Sequence, residues 1–384
     1  MLDNQKEIRK LFPFLDKFIY FDAAHYTPYP LNVIKVINEF TNRFTNEYLN
    51  LSAFQIEFSN ELKHNAAKLI NSEPEDIIIT SNTTHGINIF ANGINLPPGD
   101  SNVAFIDSEF PAVVYPWLNQ ESLGRVSVLM IPSSKGYVND FILRKSLLEN
   151  NVRVFTLSYV QFLGYRYNIK NIAEFCRKNN IMLVVDAIQA AGVCPIDVKE
   201  MGIDYLCTGN QKWLMSPAGT GFTYISKNYR RLVRPTYVGT TNVNYDFDNF
   251  LDYKLDFRND GTAFENSTLN TLGMIGMNEV IKMFLELGVG NIYRHILDIQ
   301  DCFMESLDKS LYRIESDLNP DNRSNILIFS HLNNSLNAMI QKTLADKNIY
   351  IAVREGILRI SPHIYNDYDD VRKLADGLNS FQVN

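Results

Sequence analysis

The sequence predicts an α/β fold: a largely parallel sheet covered by helices, followed by a smaller α+β unit. Two observations carry that expectation. Between residues 102 and 226 short apolar runs alternate with amphipathic helical patterns, and after about Phe264 the alternation gives way to long helical patterns followed by paired short strands. A third observation concerns use: the apolar run 181–185 ends in Asp186, and ligands of such sheets sit beyond the carboxyl ends of the strands.

In chain order, the first strand-like run lies in IIITSNTTHGINI, residues 77–89, where apolar residues give way to small hydroxylated ones and then to helix-compatible sequence. Backbone N–H groups and the hydroxyls of Thr83 and Thr84 at such a helix start suit a phosphate dianion. Taken alone, the same residues read first as an ordinary N-cap. Further strands are expected at 102–106, 125–131, 152–158, 181–185 and 221–225. Between the third and fourth of these, Ile169, Ile172, Ala173 and Cys176 fall at i, i+3, i+4 and i+7, an amphipathic helix closed by Asn179 and Asn180. Strand, helix and strand in that order imply a right-handed crossover.

In the second unit Met277, Val280, Ile281, Phe284 and Leu285 mark a helix that Gly288 caps, and Ile292, Ile296, Ile299, Phe303 and Leu307 mark a longer one. An apolar run at 325–329 follows. IYIAVREGILRIS then reads as two strands turning at Glu355-Gly356. A last helix, capped by Asp367 or Asn366, carries Val371, Leu374 and Leu378 on one face.

At 384 residues, 46% apolar and 21% charged, the chain has the profile of a soluble globular protein with room for two or three domains. Its 36 basic and 43 acidic side chains give a net charge of −7 without a Lys/Arg cluster, which sets nucleic acid aside as a partner. No apolar run reaches the length of a membrane span or of a secretory signal, so a soluble, cytoplasmic protein is expected. Cys176, Cys194, Cys207 and Cys302 show no CxxC spacing and read as buried small hydrophobes. The histidines at 25, 64, 85, 295, 331 and 363 show no metal-ligand spacing, so no metal is expected. A P-loop, a GxGxxG after a strand, HExxH and GxSxG are all missing. That removes the common nucleotide-binding, dehydrogenase, metalloprotease and hydrolase readings.

What remains is the pairing of Asp186-Ala187-Ile188-Gln189 with the later Gly209-Asn210-Gln211-Lys212-Trp213-Leu214. A carboxylate at a strand's end followed by a lysine suggests pyridoxal phosphate chemistry. The acid keeps the pyridine nitrogen protonated so the ring absorbs electrons, and the amine holds the aldehyde as a Schiff base.

These segments, with six others in the same order, resemble the class V aminotransferase group of fold-type I pyridoxal phosphate enzymes, which includes cysteine desulfurases, kynureninase and isopenicillin N epimerase. FIYFDAAHYTPYP resembles the group's opening segment, ITSNTTHGIN its phosphate loop and DSEFPAVVYPW the strand and turn carrying the ring-stacking residue. VVDAIQAAGVCPIDVKEMGIDYLCTGNQKWL resembles the aspartate-to-lysine core and SPAGTGFTYI the strand after it. FENSTLN is similar to FExGTxN, and REGILRISPHIYN to the closing motif. The resemblance implies a seven-stranded, mainly parallel sheet in a large cofactor-binding domain, residues 21–263, and a small α+β domain, residues 264–384, with residues 1–20 packing against the latter.

It also implies roles. Lys212 forms the Schiff base and moves protons at the substrate's α-carbon; Asp186 holds the ring nitrogen protonated; Gln189, one helical turn on, donates to the ring's phenolic oxygen. Phe110 stacks on the ring and offers it neither acid nor base. Thr83 and Thr84 take the phosphate from one subunit and Thr268 from its neighbour, in a homodimer. Asn210 and Gln211 flank the cofactor beside the lysine, and Gln161 sits near the group's ring-contacting asparagine. Arg359 binds the α-carboxylate of an amino-acid substrate, a task suited to its bidentate fork. His25 lies where the opening segment approaches the substrate, and Arg354 is a weaker substrate contact.

The departures bear on the reaction. Gln211 and Gly209 replace a His and a Ser of the desulfurases, and Ser267 stands where the group has Gly. Desulfurases also carry a nucleophilic cysteine on a loop between their VR-x-G and R-x-S elements. Here Arg354-Glu355-Gly356 runs almost directly into Arg359-Ile360-Ser361. A persulfide relay therefore has no thiol to run on. The expected activity is aminotransferase or C–S/β-lyase chemistry on an α-amino acid, with epimerisation or racemisation as the alternative and a catalytically silent binding protein as a third reading.

Overall fold

The computed structural model describes residues 2, 4–97, 101–246, 248–249 and 251–382. Its strands are β1 (Ile19–Tyr20), β2 (Ile77–Thr80), β3 (Asn102–Ile106), β4 (Ser127–Ile131), β5 (Val152–Ser158), β6 (Met182–Asp186), β7 (Tyr205–Gly209), β8 (Gly221–Ile225), β9 (Tyr312–Ile314), β10 (Leu327–His331), β11 (Ile349–Tyr350), β12 (Ala352–Arg354) and β13 (Ile357–Ile360). β2 to β8 form one seven-stranded sheet in the order β2-β8-β7-β6-β5-β3-β4. The pairs β4–β3, β3–β5, β5–β6 and β6–β7 are parallel, whereas β8 runs antiparallel to both β7 and β2. The sheet is mixed and mainly parallel, and the chain is α/β as expected.

Alternation along each strand divides the core. Phe155, Leu157, Leu183, Val185 and Leu206 face one apolar layer, which holds Ile172, Met277 and Trp213. Val103, Phe105, Val154, Val184 and Tyr205 face another, with Phe90 and Trp117. Because both faces are covered, the central strands read as nearly continuous apolar runs. The carboxyl ends of β5, β6 and β7 converge at one edge of these layers, where Ser158, Asp186 and Cys207 lie in register.

The predicted elements are recovered with instructive shifts. The helix Ile169–Lys178 buries the four residues whose spacing announced it. Gly288, at φ 78°, separates the helices Thr271–Leu287 and Val289–Ser306. Glu355 and Gly356, at φ 48° and 74°, make the two-residue turn between β12 and β13. Asp367, not Asn366, caps the last helix, Tyr368–Asn379, through a capping box with Asp370. Asn366 instead donates to Tyr20 O at 3.0 Å. The strand expected at 125–131 begins at Ser127, because Arg125 N closes onto Gln120 O of the preceding helix at 3.0 Å. The strand expected at 325–329 is displaced to Leu327–His331, leaving the Asn325 amide free to donate to Gln189 O at 2.8 Å. β7 was not foreseen: YLCTG lacks the branched aliphatic run that marked its neighbours.

A second sheet, in the order β12-β13-β10-β9, is antiparallel and packs over Phe303, Leu344, Leu374 and Leu378. β1 joins this region by pairing in parallel with β11. Arg9 adds a 2.8 Å contact to Asp370, and the Gln5 amide donates to Ile364 O at 2.8 Å. Thus both chain ends meet near the closing motif. Among the described residues no helix is long and apolar enough to cross a membrane.

Candidate active site

Asp186 ends β6 and is 1% exposed. Its Oδ1 accepts from Ile188 N at 2.8 Å, while Oδ2 is buried without a partner. Burial pushes the carboxyl up to about 6, against the pull of the Ile188 N–H and Lys212. A buried acceptor left open in a native structure calls for a donor from a ligand, and the ring N–H of a pyridinium is one. The residues after Asp186 turn at once, with Ala190 N and Ala191 N both on Ala187 O at 2.8 Å, and Gln189 lies within that turn. Its Oε1 accepts from Trp213 Nε1 at 2.7 Å and its Nε2 donates to Ala24 O at 3.1 Å. One Nε2 hydrogen remains for a ligand.

Lys212 lies in the turn after β7, with Nζ 5.2 Å from the centroid of the Phe110 ring. Burial brings the amine down to about 8, assisted by Arg359 and Arg354 and opposed by Asp186 and Asp22. A lysine in that range is part neutral near pH 7, the form that attacks a carbonyl or takes a proton. Gly209 closes the same strand where a Cβ would lie 2.7 Å from Gln211 Oε1 and 3.0 Å from Ile188 Cδ1, so a larger residue would require those side chains to shift. The Asn210 amide braces the turn instead of facing outward, donating to Ser216 Oγ at 2.6 Å and Pro217 O at 2.8 Å, although its own Oδ1 is open.

Phe110 caps the helix Pro111–Ser122 and meets Phe162 edge-on at 6.5 Å. Beside it, the buried Glu109 accepts from Ser158 N at 2.8 Å, Ser158 Oγ at 2.5 Å and Gln161 Nε2 at 2.7 Å. Burial pushes that carboxyl up to about 7, and Asp186 adds to the rise. Gln161 is thereby tied to Glu109, with its Oε1 left unpartnered.

At the opposite side, Arg359 is 2% exposed; it donates to Asp22 Oδ1 at 3.1 Å and to Phe162 O at 3.0 Å, and its Nε has no partner. His25 Nδ1 stands 3.6 Å from Asp22 Oδ2. Burial lowers the His25 imidazole, and Arg354, Arg359 and Lys212 oppose the effect of Asp22. Asp22 thus stands between His25 and Arg359.

At the remaining end, Asn82, not a Ser or Thr, caps the helix Thr83–Gly93 by accepting from His85 N at 2.8 Å. Thr83 Oγ1 is buried and unpartnered, and Thr84 is exposed. Thr268 is exposed and lines, with Ser81, His85 and Thr220, an open cavity of about 1390 Å³. None of the four cysteines approaches this region from solvent: three are buried, and Cys302 packs under the second sheet.

The family model for aminotransferase class-V matches residues 19–374. The chain belongs to the class-V aminotransferase family. Members of this family use pyridoxal phosphate, and this class-V chain is a pyridoxal-phosphate-dependent enzyme. It is 27% identical to a probable cysteine desulfurase of Methanothermobacter thermautotrophicus over 97% of each chain. It is 24% identical to an uncharacterized aminotransferase of Bacillus subtilis, again over 97% of each. Among solved structures, the cystine C–S lyase C-DES in complex with cysteine persulfide shares its fold, with a TM-score of 0.86 and 21% identity over 96% of this chain and 99% of that one. The cysteine desulfurase of Thermococcus onnurineus gives 0.85 and 21% over 97% and 98%.

The class-V site has partners that sequence reasoning passed over. Asp22 and Glu109 stand in quoted motifs, yet their importance rests on burial beside Arg359 and Gln161, which no local spacing reveals. Trp213 gives a sharper signal, a tryptophan following the lysine directly. The open acceptor on Asp186, the open hydroxyl on Thr83, the softened amine of Lys212 and the Phe110 ring together fit the cofactor's pyridine nitrogen, phosphate, aldehyde and ring face.

Proposed function

We propose that the chain is a C–S lyase acting on an α-amino acid, with Lys212 as the residue that holds the cofactor and moves the substrate's α-proton. Bound pyridoxal phosphate supplies an electron sink for the pair left at the α-carbon. Lys212 would hold the cofactor by its aldehyde, and its amine would take the substrate's Cα proton. Asp186 keeps a proton at the ring nitrogen, Phe110 stacks on the ring and the spare N–H of Gln189 faces the phenolic oxygen. Thr83, Thr84 and the helix start hold the phosphate. Thr268 reaches the same phosphate from a second subunit of a homodimer. Arg359, with its open Nε, receives the α-carboxylate, and His25 borders that space. Asn210 and Gln161 support the site from behind, through Ser216 and Glu109. In the reaction the Cα proton passes to Lys212, the Cβ–S bond breaks with its pair on sulfur, and water releases pyruvate and ammonium.

The observation that carries this reading is the two-residue turn Glu355-Gly356, with no cysteine between the arginines on either side of it. A desulfurase needs a thiolate that can reach the substrate sulfur, so C–S cleavage here ends in small molecules. The sulfur chemistry itself is supported by the likeness to a probable cysteine desulfurase and to the cystine C–S lyase C-DES. Transamination is a second reading, favoured by the relative named as an aminotransferase. Epimerisation draws less support, since Phe110 has no proton to return from its face.

The test is a panel of amino acids, in both hands, mixed with holoenzyme in deuterated water. Pyruvate with a thiol, persulfide or sulfide supports lysis; a keto acid with the amine form of the cofactor supports transamination instead. An α-deuterated product of inverted hand supports epimerisation. A wild-type protein that binds no chromophore, or a Lys212→Ala variant with full turnover, overturns the whole scheme.

A further inference from the structure

The turn that carries Lys212 is held from outside on three successive carbonyls. Thr27 N donates to Gln211 O at 3.4 Å and Thr27 Oγ1 to Lys212 O at 2.5 Å. His363 Nε2 lies 3.0 Å from Trp213 O. The tautomer of His363 is fixed by its other nitrogen, because Nδ1 accepts from Ile364 N at 2.7 Å, which leaves the proton on Nε2. Complete burial keeps this imidazole neutral, lowering it to about 3. Its ring also packs at 5.3 Å from Trp213 and 5.6 Å from Tyr365.

The turn has reason to need such support. Met215, three residues on, is buried at φ 37°. A non-glycine residue in that region is strained and persists only where its surroundings over-determine it. Within the turn only Met215 N to Lys212 O, at 3.2 Å, and Ser216 N to Asn210 O, at 3.3 Å, close the backbone. Trp213, pinned between His363 and Gln189, completes a buried line from the closing motif through the lysine turn to Ala24.

We propose that His363 and Thr27 are positioning residues for Lys212, gripping its turn from opposite ends of the chain so that Nζ is aimed before any cofactor binds. The claim rests on the reading of Lys212 as the cofactor-holding amine. A displacement of about 1 Å at a reacting atom costs on the order of 100-fold in rate, so a slackened turn is read in kinetics.

The experiment compares wild type with His363→Phe, which keeps the ring packing and loses the donor, His363→Gln, which restores a donor, and Thr27→Val. Cofactor-free protein is mixed with pyridoxal phosphate, and the rate of appearance and pH midpoint of the visible band are followed, beside melting temperature, kcat and KM. The expected result is band formation about 10- to 100-fold slower in His363→Phe, a shifted midpoint, a matching loss in kcat with little change in KM, and partial rescue in His363→Gln. If His363→Phe does not fold, Thr27→Val decides in the same terms. Folded variants with wild-type rate and midpoint overturn the positioning role alone. A wild type that forms no band overturns the cofactor reading and this claim with it.

Discussion

Asp22 and Arg359 face each other at 3.1 Å, a buried carboxylate on a buried guanidinium. The arginine proposed for a substrate carboxylate therefore already has an internal counter-charge, and its open Nε, with one N–H left on each terminal nitrogen, remains for a ligand. Asp22 Oδ2 also lies 3.6 Å from His25 Nδ1, so one carboxylate links Arg359 and His25.

Asp22→Asn leaves Arg359 charged and without an acidic partner among the described residues. Breaking a buried pair from one side costs about 3 kcal/mol. Urea unfolding of the cofactor-free protein is expected to show that loss, and steady-state kinetics a raised KM for the amino acid. An unchanged unfolding midpoint would show that the pair adds nothing to stability.

Thr83→Val tests the orphaned hydroxyl. None of the described residues bonds Oγ1, so the cofactor-free form should lose no stability and even gain slightly. A hydrogen bond to a charged group is worth about 1.5 to 3 kcal/mol, and equilibrium dialysis should show cofactor affinity reduced roughly 10- to 100-fold. A variant that binds pyridoxal phosphate as tightly as wild type removes Thr83 from the phosphate site.

Glu109 makes the cofactor-free fold sensitive to pH. Its carboxyl titrates at about 7 in the folded chain against an ordinary 4.5. Folding therefore takes up a proton between those values, and stability falls as pH rises through that window. Asp186, raised from 3.8 to about 6, tilts the same way at the acid end. Denaturation midpoints between pH 4.5 and 7 should decline in wild type and decline less in Glu109→Gln. Equal slopes would remove Glu109 as the source.

Phe110→Ala removes the ring that faces Lys212 Nζ at 5.2 Å. Aromatic stacking beyond simple burial contributes about 0.5 to 1.5 kcal/mol, so the dissociation constant of the cofactor should rise a few-fold to about tenfold. Titration of the visible band checks it, and an unaltered constant would place the ring off the cofactor.

The alternation of apolar runs gave away the sheet, because fully covered strands have to be apolar on both faces. β7 escaped because YLCTG mixes aromatic, small and polar residues, and what makes it a strand is its place between β6 and β8. Asp186 and Lys212 were legible since strand ends and cofactor chemistry constrain residue type locally. Their supports were not. Asp22 and Arg359 are separated by 337 positions, Thr27 and Lys212 by 185, and His363 and Trp213 by 150. Contacts of that span leave no periodicity in a sequence; only the folded chain brings them within bonding distance.

The two-residue turn at Glu355-Gly356 has a consequence for how far the chemistry reaches. A loop with a thiol at its tip would make the protein a courier, handing sulfur to a chosen recipient by docking. Without it, under the proposed lyase reading, sulfur freed in this cleft would depart unaddressed, its range set by diffusion and by how fast surrounding thiols and oxidants consume it.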